Sequence, residues 1–139
     1  MRPAEITAVA HRLVRVGSLV EARAAIAAAQ TAGDRAELLS PPRCGGLFWR
    51  ALLDAITAAP PTQPSPRGWL DAGDRPGAVL DGLAAGCQAF VLDEPAPAVL
   101  EQLSRQAAWQ GALLLTRGQL TAAGRRGVLR DDSTQRRNP

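Results

Sequence analysis

The stretch Gly68–Glu94, GWLDAGDRPGAVLDGLAAGCQAFVLDE, decides the fold. It predicts a strand that ends at Asp71, a helix that ends at Gly86, and a second apolar strand that ends at Asp93. The switch from apolar runs to helical spacing and back is typical of a βαβ unit. Ligands of open parallel sheets and barrels collect at the carboxyl ends of the strands, so this stretch also places a candidate site.

Similar units precede and follow this stretch, which predicts an α/β chain of about five βα units. Short apolar strands that alternate with helices are typical of a parallel sheet with helices on both faces. We expect an open, flavodoxin-like sheet, with part of a TIM-type barrel as the alternative. The predicted strands are residues 13–16, 36–40, 68–71, 88–93 and 112–116.

Boundary residues mark several helix ends. Ser18 and Glu21 form the S-x-x-E pattern of a capping box, and Gly33 is placed to end that helix. Asp74 is expected to cap the helix of the central unit. Residues 1–10 are interpreted as a short lead-in, with a helical turn as one form it could take. The proline-rich run PPTQPSPR, residues 60–67, is interpreted as a stiff surface connection.

The composition excludes some chemistry. All sixteen basic residues are arginine, a usage typical of a GC-rich bacterial genome. Without lysine there is no Schiff-base lysine and no P-loop lysine. No G-x-G-x-x-G pattern occurs either, so nucleotide binding by those routes is not supported.

The net charge of +3 comes from the end of the chain. Residues 1–124 carry eleven Arg and eleven Asp or Glu, so the predicted single domain is neutral. Residues 125–139 carry five Arg against two Asp and are predicted to be an Arg-rich flexible tail. Because aromatic residues do not interleave with these arginines, we do not expect nucleic-acid binding.

The cysteines and hydropathy indicate a cytoplasmic protein. Cys44 and Cys87 are too far apart for a C-x-x-C motif and are interpreted as reduced, packed thiols. No stretch approaches the ~20 apolar residues of a membrane span, so no membrane partner is expected. The amino terminus has no long apolar segment of the kind found in signal peptides.

Acidic side chains gather at the predicted carboxyl edge. Asp71, Asp74, Asp93 and Glu94 follow two strands of the central unit. Asp71 and Asp93 are the catalytic candidates, because converging carboxylates serve as general acid and base or hold Mg²⁺. The alternative is structural, since acids next to helix starts act as caps.

Arginines and glycines are expected at the same edge. Arg43, Arg75 and Arg117 each follow a strand, and Gly45 with Gly46 would let an anion approach a helix start. We predict that these residues and Asp74 bind an anionic ligand. The alternative is that the arginines only neutralise the neighbouring acids.

Histidine chemistry is not expected at this edge. His11 is the single histidine and precedes the first predicted strand, at its amino end. A Ser-His-acid arrangement therefore cannot form where the strands end. We predict that the protein binds no metal ion and no cofactor. Mg²⁺ is required only by the alternative function given below.

Two segments resemble class II fructose-bisphosphate aldolases. Residues 18–40, SLVEARAAIAAAQTAGDRAELLS, are similar to an alanine-rich helix that leads to a strand ending on serine. The central stretch resembles that family's strand ending in Leu-Asp-His-Gly, its next helix and the strand that follows. The resemblance, which spans roughly half the chain, implies that Asp71 stands at or beside the family's catalytic acid. Ala72 replaces a zinc-binding histidine, and with His11 as the single histidine the family's zinc site cannot form. The resemblance implies a barrel-like relative without the metal and the aldol reaction.

The sequence therefore favours a non-enzymatic domain that binds a small anionic ligand or a protein partner at the carboxyl edge. The alternative is an Mg²⁺-dependent enzyme, aldolase-like or acting on phosphate esters, that uses Asp71 and Asp93. A third hypothesis is an assembly protein that pairs with a second copy through apolar helix faces or a sheet edge.

Overall fold

The computed structural model describes residues 1–58 and 64–125. In these ranges the chain alternates helices with short strands, as the apolar pattern predicts. The elements are α1 (Pro3–Arg12), β1 (Leu13–Arg15), α2 (Leu19–Ala32), β2 (Glu37–Leu39), α3 (Gly46–Thr57), β3 (Arg67–Gly73), α4 (Pro76–Ala84), β4 (Ala89–Leu92), α5 (Pro97–Trp109), β5 (Leu113–Thr116) and α6 (residues 117–125).

The five strands form one open parallel sheet, which confirms the predicted fold class. The strand order is β1-β2-β3-β4-β5, so each crossover joins neighbouring strands. The sequence left this order open. It differs from the 2-1-3-4-5 order of flavodoxin, and it contains no point at which the strand order reverses.

Helices cover both faces of the sheet, but unequally. Right-handed crossovers between successive neighbours place their helices on the same face. On this face Ile26 of α2, Trp49 of α3, Val79 of α4 and Leu103 of α5 pack in the larger core cluster. The opposite face carries a smaller cluster around Trp69, covered by the two ends of the chain: α1 contributes Val9 and α6 contributes Leu120.

Local signals explain several boundaries. The Ser18 side chain accepts a hydrogen bond from the Glu21 N–H at 3.1 Å, which confirms the cap of α2. Gly33 ends the helix in the left-handed conformation, with φ of 74°. Pro97 occupies the first turn of α5, where a missing N–H costs no helical hydrogen bond.

Some boundaries differ from the sequence-based expectation. The expected lead-in forms α1, because Pro3 can start a helix and Val9 finds an apolar partner in the smaller cluster. Arg67 begins β3 rather than ending the preceding loop. Asp74 does not cap α4: the N-cap position is Arg75, and it makes no side-chain cap hydrogen bond.

Two predictions lie wholly or partly outside the described residues. Residues 60–63 of the predicted proline-rich connection lie outside the described residues, as do residues 126–139, which make up nearly all of the predicted tail. Arg125, the first residue of that tail, is still part of α6. In the described ranges no helix has the length and apolar character needed to cross a membrane.

Candidate functional site

The carboxyl edge of the sheet is built around one buried carboxylate. The Asp71 side chain is only 3% exposed, so its oxygen atoms need hydrogen-bond partners within the protein. Arg15 Nη2 lies 3.0 Å from Oδ2, and Arg117 Nη2 lies 2.9 Å from Oδ1. The Gly73 N–H donates a further bond to Oδ1 at 3.0 Å. Asp71 thus anchors two guanidinium groups, one from the edge strand β1 and one from the start of α6, directly after the other edge strand, β5.

A bulge in β3 helps to set this geometry. The pairing register of β3 with β4 shifts between Asp71 and Gly73, and Gly73 has a φ of 57°. A glycine adopts this left-handed backbone without the penalty that a Cβ imposes. The turned backbone directs the Gly73 N–H to the Asp71 carboxylate and its C=O to the Asp93 N–H, at 2.8 Å. The bulge therefore joins the ends of β3 and β4.

Arg15 joins β1 to the strands beside it. Besides its contact with Asp71, it donates from Nη1 to the Ser40 carbonyl oxygen at 2.6 Å. The Ser40 hydroxyl in turn accepts the Asp71 backbone N–H at 2.9 Å and donates to the Pro41 carbonyl oxygen at 3.1 Å. The polar atoms of buried Ser40 are in this way satisfied, and the first three strands are held in register at their carboxyl ends.

Arg117 bridges two acids at the other side of the site. Its Nε donates to Asp93 Oδ1 at 2.7 Å, in addition to the Nη2 contact with Asp71. The hydrogen bond to Asp93 is the largest reason that the pKa of Arg117 is raised above its ordinary value, against a smaller opposing effect of partial burial. Arg117 is therefore a permanent positive charge at this edge.

The start of α6 is capped by side chains. The Thr116 N–H donates to Gln119 Oε1 at 2.9 Å, and the Gln119 N–H donates to Thr116 Oγ1 at 3.1 Å, which is a capping box. Glu94 accepts the Gly118 N–H at 3.0 Å. A carboxylate thus already occupies the helix terminus, so Glu94 has a structural role here.

The structure brings together three of the sequence-predicted candidates, Asp71, Asp93 and Arg117. Arg15 was not predicted, because it lies inside the predicted strand of residues 13–16, whereas the predicted candidates lie at or after the ends of predicted strands. The sequence did contain one signal for Arg15. Side chains alternate between the two faces of a strand, so Arg15, two residues after Leu13, lies on the same face as Leu13, which packs against the smaller cluster.

Other predicted ligands lie at the same edge but outside this cluster. Arg43 is exposed and has an unusual left-handed backbone, with φ of 59°. Asp74 and Arg75 are exposed and form no ion pair with a described residue. Binding by these residues stays a prediction.

Gly45 and Gly46, the two glycines predicted to bind an anion, have different roles in the fold. Gly45 is the N-cap of α3, and a Cβ there would meet no atom within 4 Å. A Cβ on Gly46 would lie 3.0 Å from the Gly82 Cα, so Gly46 allows α3 and α4 to pack closely. Close packing therefore accounts for Gly46 without a ligand.

The chemistry of the edge favours anchoring over catalysis. Both Asp71 oxygens accept N–H donors from arginine, and the two guanidinium charges oppose the approach of a metal ion to this carboxylate. His11 lies in the last turn of α1, before β1 begins, and thus at the opposite edge as predicted. Over residues 1–58 and 64–125, no three His, Cys, Asp or Glu side chains cluster as a metal site requires.

Comparison with known proteins gives no match: no family model, no curated protein and no solved structure is significantly similar to the chain. The resemblance to class II aldolases stays a prediction.

Proposed function

We propose that this domain binds a small anionic ligand, without catalysing a reaction, at the carboxyl edge of its sheet. The observation that supports the proposal is the pair Arg15 and Arg117, held on either side of the buried Asp71 carboxylate. The guanidinium groups are the binding groups, and Asp71 is the residue that positions them.

Both arginines retain binding capacity. A guanidinium has five N–H donors, and described partners account for two hydrogen bonds from each of the two side chains. The side chains are 42% and 45% exposed, so a ligand in solvent can approach both of them. A carboxylate or phosphate fits such donors well because each offers two or more acceptor oxygens.

Their orientation is fixed before a ligand arrives. Asp71 holds one nitrogen of each guanidinium, and the Ser40 carbonyl oxygen and Asp93 hold a second nitrogen of Arg15 and Arg117, respectively. Ordering long side chains is one of the costs of binding, and this cost is reduced where the chains are already fixed. The network therefore favours a compact anion whose binding leaves the contacts with Asp71 and Ser40 in place.

The ligand competes with Asp93. This side chain is 44% exposed, while Asp71 is buried, so Asp93 is the acid that can turn into solvent. A bound anion would take its place on Arg117 and keep the local charge balanced. Since exposed charges interact weakly at high ionic strength, we expect affinity to fall as salt is added.

A thermal-shift titration tests this proposal. Inorganic phosphate, citrate and malonate are added at constant ionic strength to wild type, Arg15→Gln and Arg12→Gln. Arg12 is the matched control, since it is 41% exposed and also ion-paired, with Asp34 at 3.0 Å. An anion at ~100 times its Kd adds about 2.7 kcal/mol to the free energy of unfolding.

We expect stabilisation of wild type and Arg12→Gln by at least one of the anions, and loss of most of it in Arg15→Gln. The proposal is wrong if none of the anions stabilises wild type, or if the two variants respond alike. Mg²⁺ alone, added to a further sample, tests the alternative that the protein is an Mg²⁺-dependent enzyme. That alternative predicts that Mg²⁺ stabilises wild type and does not stabilise Asp71→Asn.

A protein partner is the second candidate, and exposed apolar side chains favour it. Val20 in α2 is 78% exposed, and Leu47 and Phe48 in α3 are 78% and 55% exposed. Each lies in a first helical turn, which in a βα unit follows the carboxyl end of a strand. Exposed apolar residues near a binding site often mark contacts between proteins. A pull-down that captures the same protein with wild type and Leu80→Ser, but not with Leu47→Ser/Phe48→Ser, would support this candidate.

A further inference from the structure

A second candidate site lies at the opposite, amino-terminal edge of the sheet. A cavity of about 380 Å³ opens there between α3 and the starts of β3, β4 and β5. Its volume falls within the range of ligand pockets, roughly 300–1,000 Å³. Arg35, Arg50 and Arg67 line it, and none of its described lining residues is acidic.

The cavity combines this positive charge with an apolar wall. Leu53 and Ile56 of α3 form one side, and Leu113 at the start of β5 forms another. Ile56 is only 7% exposed, so this wall continues the larger core cluster. The wall favours the apolar part of a ligand, while the arginines favour an anionic group.

Arg67 is held in place by a buried acid. Glu37 is 3% exposed and accepts bonds from Arg67 Nε at 3.0 Å and from the Trp69 indole N–H at 2.7 Å. Arg67 Nη2 also donates to Glu37, and its guanidinium lies 5.3 Å from the Trp69 ring centroid. The opposite charges of this pair balance each other, and the hydrogen bonds to Glu37 use Arg67 Nε and Nη2 and leave Nη1 for another acceptor.

Arg50 and Arg35 differ in their partners. Arg50 pairs with exposed Asp54 at 2.7 Å and donates weakly to the Gly86 carbonyl oxygen at 3.4 Å. Arg35 is exposed and forms no ion pair with any residue in the described ranges. Arg35 therefore supplies the charge that is not balanced at this cavity.

We propose that this cavity binds a small molecule that joins a phosphate or carboxylate group to an apolar body. Arg35 and Arg50 contact the anionic group, Arg67 supports it through Nη1, and the apolar body packs on Leu53, Ile56 and Leu113. This site is separate from the carboxyl-edge site, because Arg35 and Arg67 stand at the beginnings of strands and Arg15 and Arg117 at their ends.

Calorimetric titration with defined probes tests this proposal. Phenyl phosphate and phenylacetate carry the two anionic groups on the same apolar ring, and inorganic phosphate and acetate are the matched anions without it. We expect at least one ring-bearing probe to bind a saturable site that persists in Arg15→Gln, and to bind there more tightly than its matched anion. The preferred probe then identifies the anionic group as phosphate or carboxylate.

The variants locate the binding site. Arg35→Gln should raise the Kd of the ring-bearing probe roughly tenfold, which is the loss expected for one charge-assisted hydrogen bond. Arg23→Gln removes the same charge from an exposed position on α2 and should leave the Kd unchanged. Arg15→Gln should also leave it unchanged, since that residue lies at the other edge.

Three results would overturn the proposal. One is the absence of saturable binding for both ring-bearing probes. Another is an equal Kd for Arg35→Gln and Arg23→Gln. The third is weakening by Arg15→Gln without weakening by Arg35→Gln, which would place the probe at the carboxyl edge. Circular dichroism of each variant checks that the fold is retained.

Discussion

Arg15 and Asp71 are separated by 56 residues in the sequence, yet Arg15 Nη2 lies 3.0 Å from Asp71 Oδ2 at the carboxyl edge of the sheet. The contact spans from β1 to β3 and passes over the end of β2, where Arg15 also binds the Ser40 carbonyl oxygen. One buried acid thus organises the ends of three strands and, through Arg117, the start of α6.

Replacing this acid should destabilise the fold. In Asp71→Asn the amide N–H₂ would face arginine donors, and the charge that balances them would be lost. We expect the free energy of unfolding to fall by about 1–3 kcal/mol, because solvent screens the partly exposed arginines and limits the loss. Urea unfolding measures this free energy. Asp93→Asn is the control, because its side chain is 44% exposed, and should cost less than about 1 kcal/mol. Equal losses would show that Asp71 is not the organising residue.

The amino-edge acid should be as important. Glu37→Gln leaves a buried amide that cannot accept all the bonds from Arg67 and the Trp69 indole N–H. We expect a loss of about 2 kcal/mol and a changed Trp69 environment in near-ultraviolet circular dichroism. Glu101→Gln, at an exposed i, i+4 pair with Arg105, should be nearly neutral. An unchanged urea midpoint for Glu37→Gln would contradict the assigned network.

Two glycines in α4 should respond in opposite directions to alanine. A Cβ on Gly82 would lie 2.5 Å from Phe90 Cε1 and 2.8 Å from Leu70 Cδ2, whereas one on Gly77 would meet no atom within 4 Å. Gly82→Ala should therefore destabilise by about 1–3 kcal/mol through overpacking. Gly77→Ala should stabilise by roughly 0.5–1 kcal/mol because alanine favours the helix. Thermal unfolding distinguishes them, and stabilisation by both would contradict the close contact of α4 with the sheet.

The thiols should be unreactive at neutral pH. Burial raises the pKa of Cys87 above its ordinary value, with smaller effects from Arg50, which lowers it, and Cys44, which raises it. Burial also raises the pKa of Cys44, although a backbone hydrogen bond from Trp49 opposes it. Because the thiolate is the nucleophile, alkylation by iodoacetamide at pH 8 should be slower than for a cysteine in an unfolded peptide. Cys87, which is 3% exposed, should react last.

The raised pKa of Cys87 also predicts that the stability of the fold depends on pH. A folded-state pKa above the unfolded value means that the folded chain keeps its proton longer. The stabilisation is complete below the unfolded pKa, about 8.5 for a thiol, and is lost as pH rises through the folded value. The urea concentration at the unfolding midpoint should therefore decrease as the pH is raised from 7 to 10. This decrease should be smaller in Cys87→Ala than in wild type. An identical fall in both proteins would assign the effect to other groups.

The fold class could be predicted because periodicity in the sequence reports burial directly. The central apolar strand and the cap at Ser18 each depend on residues a few positions apart, although that strand runs to Gly73 and does not end at Asp71 as predicted. The strand order could not be predicted, since it depends on pairing between distant segments such as Leu13 with Glu37 and Ala89 with Leu113. The role of α1 was missed for the same reason: Val9 is buried only because a sheet face lies opposite.

The candidate site was predicted in part. Asp71 lies near the carboxyl end of β3, Asp93 and Arg117 directly follow β4 and β5, and parallel strands bring such residues to one edge. Arg15 was missed because an arginine inside a three-residue strand resembles any exposed charge until its buried partner is known. The amino-edge arginines were missed because Arg35, Arg50 and Arg67 belong to three different elements or loops, and no local pattern relates them.

The most direct test of anion binding at the carboxyl edge is a ¹H–¹⁵N correlation spectrum of wild type, titrated with inorganic phosphate at constant ionic strength. We predict saturable shifts of the Gly73 and Gly118 amides, which lie beside Asp71 and Arg117, and no comparable shifts of the Ile26 and Leu103 amides in the middle of α2 and α5. Shifts that grow linearly without saturation, or that are absent from Gly73 and Gly118, would contradict the proposed function.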